Sequence, residues 1–116
     1  MKITRLYTGE DKQSHFEEFD VMLEDAGDIG KLSQKINATG VIFRETGGDY
    51  DFNFHNAPQR QYIISLDGEI EIETGLGEKR RFKAGDILLA EDTTGQGHIT
   101  RSIDGNLRRS IFITLD

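Results

Sequence analysis

Apolar and polar residues alternate with a period of two along most of this chain, which predicts short strands with one face turned to a core. A first strand is predicted near Ile3–Tyr7 and a second near His15–Leu23, where Phe16, Phe19 and Val21 offer apolar surface. Residues 24–38 are polar, carry Gly27 and Gly30, and leave room for one short helical turn near Lys31–Lys35. Thr39–Glu45 reads as a strand ended by a turn at Gly47-Gly48-Asp49. Tyr50, Phe52 and Phe54 then alternate with Asp51, Asn53 and His55. Gln61–Leu66 is a strand, and Asp67-Gly68 is a hairpin signal. In Glu69–Glu73 the glutamates alternate with isoleucines, so Glu69, Glu71 and Glu73 belong on a solvent face. Further strands are predicted at Lys79–Phe82, Ile87–Glu91, His98–Ser102 and Ser110–Leu115, with turns at Gly75–Glu78, Gly85-Asp86 and Asp104-Gly105. Nine to eleven short strands at regular spacing predict an all-β barrel or sandwich.

The composition agrees with that pattern. A hydrophobic fraction of 35% suits strands that wet one face, and 13 glycines with one proline suit many turns. The length of 116 residues fits one domain, residues 1–116. The net charge of -7 disfavours nucleic acid as a partner. Lys79, Arg80 and Arg81 form a basic cluster that reads as a solvated strand edge. With no cysteine, disulfides, thiolate nucleophiles and cysteine-based zinc sites are excluded. The start of the chain, MKITRLYTGEDKQ, lacks the apolar core of a signal peptide, and no apolar run approaches a membrane span. A cytoplasmic protein without membrane contact is expected, which makes the Asn37-Ala38-Thr39 sequon a chance match.

The segment from Phe54 to His98 concentrates the candidate chemistry, because two of the three histidines close its ends. Gly68 follows Gln61 by seven positions, and Gly85-Asp86 precedes His98 across the loop EDTTGQG. Those spacings resemble the two motifs of the cupin family, over about 70 residues from Thr39 to Ser110. Gln61 takes the place of the first motif's glutamate. With three spacer residues His55 and Ala57 take its two histidine places, and with four, Phe54 and Asn56 do. The resemblance implies a double-stranded β-helix, the cupin jelly-roll barrel of two antiparallel sheets, and a homodimer built through the N-terminal strands or an outer sheet face.

Three readings of the site stay open. In the first, His55, Gln61 and His98 hold a divalent metal (Zn, Fe, Ni or Mn), with His15 as a further imidazole, and the protein acts on a small polar or carboxylated metabolite. In the second, His98 or His55 is a catalytic acid–base group of the sugar isomerase or epimerase kind, oriented by Asp92 or Asp51. In the third, the barrel binds or senses a small-molecule ligand without metal or catalysis. Gln61, Ser65, His98 and Thr100 share one parity and would line the pocket, with Asn56 beside them. Arg60 or Arg101 would receive a carboxylate at the rim. Tyr50, Phe52 and Phe54 read as core or interface packing, and residues 92–97 as a flexible loop at the barrel mouth.

Overall fold

A computed structural model describes residues 1–116. The chain forms twelve strands in sequence order: β1 Lys2–Thr8, β2 Ser14–Asp20, β3 Glu24–Asp25, β4 Lys31–Leu32, β5 Gly40–Thr46, β6 Asp51–His55, β7 Gln61–Ser65, β8 Ile70–Thr74, β9 Lys79–Phe82, β10 Ile87–Glu91, β11 His98–Ser102 and β12 Arg108–Thr114. A 3₁₀ turn at Gly27–Ile29 lies between β3 and β4. The helical turn expected near Lys31–Lys35 is not there. Lys31 and Leu32 instead pair with Asp25 and Glu24 in a two-residue ribbon, because the turn forms earlier, around Gly27 and Gly30, both at positive φ.

Two sheets face each other. The larger has the order β2-β1-β10-β7-β12-β5 and the smaller β6-β11-β8-β9. Every neighbouring pair is antiparallel except β1 with β10, which run parallel. This is the double-stranded β-helix jelly roll. Leu6 and Leu88 from the larger sheet meet Ile70, Ile72 and Phe82 from the smaller, with Phe16 and Ile63 packed against them. Each such buried aliphatic side chain stabilises the barrel by about 1.5–3 kcal/mol.

Asp67-Gly68 is not a hairpin turn. Strands β7 and β8 sit in different sheets, so these residues form a corner that carries the chain across the barrel. Gly68 takes φ 71, and a Cβ there would meet the backbone of Arg108.

The outer face of the larger sheet is apolar as well. Ile3, Leu89 and Leu115 form a second cluster with Phe19, Val21, Tyr62 and Ile87. Leu32 and Ile36 face Tyr62, Ile64 and Ile113 across a groove of about 540 Å³. Glu71 and Glu73 lie outside the smaller sheet and pair with Arg101. The basic cluster is on edge strand β9, where Arg80 pairs with Glu18 and Arg81 with Glu71. No helix is long and apolar enough to cross a membrane.

Candidate functional site

The barrel encloses a chamber of about 350 Å³ between the sheets. That is near the lower end of the ~300–1,000 Å³ usual for small-molecule pockets. Ile63, Ile70, Ile72, Phe82, Leu88 and Phe112 give it apolar walls. Period-two alternation carries Gln61, Ser65, His98 and Thr100 inward, and all four are buried and line it.

His55 reaches the same chamber by a different route. Strand parity from Phe52 would turn it outward. However, β11 pairs His98 with His55 and Thr100 with Phe52, so β6 carries one extra residue between the two contacts. That bulge turns both Phe52 and His55 inward. Within it, His55 Nδ1 lies 2.7 Å from the Asn53 carbonyl. The imidazole rings of His55 and His98 then stand 4.4 Å apart, centre to centre.

Asp92 orients His98. It is fully buried, and its Oδ2 accepts from His98 Nδ1 at 2.5 Å and from Ser14 Oγ at 2.7 Å. Oδ1 is buried without a partner. Both imidazoles therefore present Nδ1 to an oxygen acceptor, which places the Nδ1 proton there in the neutral form. Nε2 of each ring keeps its lone pair and has no protein partner. Asp51, the other orienting residue named from sequence, lies exposed opposite Arg101 on β11.

Residues 92–97, expected as a flexible loop, are held by several hydrogen bonds. Asn56 Nδ2 donates to the Thr94 and Gly95 carbonyls, Thr8 Oγ1 donates to the Thr94 carbonyl, and the Gln96 amide donates to the Lys12 carbonyl. Asn56 thus lines the chamber and holds residues 94 and 95 at its mouth, while Thr8 and Lys12 tie the same segment to the first turn of the chain.

Three sequence expectations fall away from the chamber. His15 sits on β2 with Nε2 2.9 Å from both Asp11 carboxylate oxygens, outside the chamber lining. Arg60 is on the outer surface, where Glu91 receives its Nε at 2.6 Å and also pairs with Arg5. Burial opposes charge on Glu91, but the two guanidinium groups outweigh it and hold the carboxyl below its usual range. Arg101 points outward to Glu73 and Glu71. Each of these groups is satisfied by a carboxylate on its own surface and has no reason to turn inward.

The arginines that do enter were missed. Arg108 and Arg44 both line the chamber. Strand β12 begins at Arg108, two residues before the predicted start at Ser110, and its inward parity belongs to Arg108, Ser110 and Phe112 rather than to Ile111 and Ile113. The isoleucines serve the outer apolar face, so a pattern reading takes the wrong side as core. The clue was the parity shared by Arg108, Ser110 and Phe112.

The donor set fits a tightly held divalent ion poorly. His55, His98 and Gln61 are neutral ligands, and no cluster of three histidine, cysteine or acidic side chains forms. Two guanidinium groups in the same chamber add repulsion for a cation.

The electrostatics also make a pH prediction. Burial, followed by repulsion from His98 and Arg44, pushes His55 below its ordinary value of 6.5, despite the Asn53 carbonyl and Asp92. The unfolded chain then binds a proton at His55 before the folded one does, so stability falls as pH drops through about 6.5. The loss levels off once His55 protonates in the fold. Melting temperatures between about pH 7.5 and about pH 5 should decline in the wild type and decline less in His55→Gln. An equal slope in both would reject the assignment. Asp11, Asp67 and Glu91 are held below the usual carboxylate range by their partners and add a separate loss only at more acidic pH.

Comparison with known proteins speaks to the fold. Protein NMB1881 from Neisseria meningitidis superposes with a TM-score of 0.52 at 18% identity, over 70% of this chain and 79% of that one. A putative ethanolamine utilization protein Q from Salmonella typhimurium LT2 gives a TM-score of 0.44 at 14% identity, over 98% of this chain and 94% of that one. No family model matches the sequence, and no curated protein matches it. The likeness to the Neisseria protein is one of fold, an all-β jelly roll of two facing sheets.

Proposed function

We propose that the chamber binds a small metabolite and that His98 moves a proton to or from it without a metal ion. The observation that supports this is the buried Asp92 on His98 Nδ1, which leaves Nε2 free toward the chamber. A carboxylate behind an imidazole holds the ring in one orientation and stabilises the imidazolium formed when Nε2 takes a proton. The apolar walls exclude water and strengthen that interaction. His55 is kept neutral by its burial, and beside His98 it can accept or donate a hydrogen bond to the same bound molecule.

The test follows carbon-bound protons. The protein is incubated in D₂O with a panel of aldoses, ketoses and 2-oxo acids, and solvent exchange is followed by NMR. One or more compounds should exchange, the rate should survive chelator, and His98→Gln should lower it by about 10²–10⁴-fold. Binding of panel compounds without exchange would remove the catalytic step and leave a binding or sensing protein. Near-stoichiometric zinc, iron, nickel or manganese in the purified protein, lost together with activity in chelator, would overturn the metal-independent reading.

A further inference from the structure

Arg108 is 5% exposed, yet no carboxylate pairs with it. Its Nη2 donates to Ser65 Oγ at 3.2 Å, and its Nε is buried without a partner. The carboxylate of Asp67, at the corner that packs against Arg108, is taken by Arg109 through both the backbone amide and Nε. A second guanidinium, Arg44, lines the same space, lying 4.9 Å over the Tyr50 ring and 5.5 Å over Phe112. A buried guanidinium beside a second, half-buried one is unfavourable without a counter-ion, and natural folds retain such an arrangement where something else supplies the opposite charge.

We propose that Arg108 and Arg44 receive the carboxylate of an organic ligand whose apolar body lies between them and the histidine pair. The inference rests on the chamber being the ligand site, as proposed above, and adds the class of ligand. Placement along β7 gives the ligand its direction. Gln61, at the start of the strand, pairs with Ala90, two residues before Asp92, while Ser65, at its end, holds Arg108. Four residues of strand separate the two ends by roughly 13 Å. The walls between them are Ile63, Ile72, Leu88 and Phe112. A planar guanidinium with free donors matches a carboxylate in two-pronged fashion, and the Tyr50 and Phe112 rings beneath Arg44 hold it flat for the same purpose. A chamber of about 350 Å³ limits the ligand to a compact acid.

The experiment compares benzoate with benzamide, its neutral counterpart of the same shape, and with inorganic phosphate. Affinities come from titration calorimetry and from the Arg108 Nε–H resonance of the wild-type protein. Benzoate should bind and shift that resonance, while benzamide and phosphate should bind at least about tenfold more weakly. Arg108→Gln should weaken benzoate by about 10–100-fold and Arg44→Gln by a smaller factor. If Arg108→Gln does not fold, the wild-type resonance and Arg44→Gln still decide. Benzoate binding is read on the wild-type protein without turnover, so failure of carboxylate binding and failure of proton exchange are told apart. Equal binding of benzamide overturns the proposal, as does phosphate binding as tight as benzoate or an Arg108 resonance that does not move.

Discussion

Asp92→Asn is expected to slow proton exchange by about 10²–10⁴-fold while leaving the barrel folded. Asparagine keeps an oxygen that can accept from His98 Nδ1 and Ser14 Oγ, as Asp92 Oδ2 does now. Its amide group takes the place of Oδ1, which has no partner to lose. The charge behind the imidazole disappears, and with it the stabilisation of the imidazolium that forms when Nε2 takes a proton. Asp92→Ala is expected to behave differently. It strips two buried donors of their acceptor, at about 1–3 kcal/mol each, so stability falls along with activity. Urea unfolding and exchange rates measured on the same two variants separate the roles. An asparagine variant with full activity would reduce Asp92 to a packing residue.

Gly97→Ala is expected to destabilise the protein by about 3 kcal/mol or more and to part the two imidazoles. Gly97 has φ 76, a conformation that L side chains rarely adopt, and a Cβ there would collide with the His55 carbonyl oxygen and crowd the Asn56 amide. The obstacle is backbone, so relief requires β6 to move away from β11 where His55 faces His98. Gly85→Ala is the control. Its φ is 90, but nothing lies within 4 Å of the added Cβ, so it carries backbone strain alone, about 1 kcal/mol. Chemical denaturation reads the difference between the two, and loss of ring-to-ring nuclear Overhauser contacts between His55 and His98 reads the displacement. Equal effects of the two substitutions would mean that the approach of Gly97 to β6 does not hold the site together.

Both predictions depend on features that a linear pattern holds only in part. The inward set Gln61, Ser65, His98 and Thr100 was legible, because alternation within one strand is a local property of an extended backbone. So was the outward direction of Glu71 and Glu73, though Arg101 and Arg81 cover them, and so were the turns at Gly75–Glu78 and Gly85-Asp86. Of the two spacer registers, the one with His55 corresponds to the histidine that the structure brings to His98, but nothing in FNFHNAP announces it. The extra residue in β6 exists only relative to its partner β11. Likewise, Asp92 and Asp51 were equal candidates until the return of β2 placed Ser14 against Asp92 and the start of β11 placed His98 on its other side.

By itself, the sequence determined an all-β chain with a period of two, most strand boundaries to within two residues, and the inward parity of Gln61 and Ser65 on one strand and of His98 and Thr100 on another. Tertiary structure alone decided which face of β12 turns inward, and so brought Arg108 to the chamber while sending Arg60 and Arg101 outside. Both faces of the larger sheet bury apolar surface, so hydrophobic alternation in that strand cannot tell core from exterior. Only the pairing of β12 with β7 and β5 settles the side on which each residue lies.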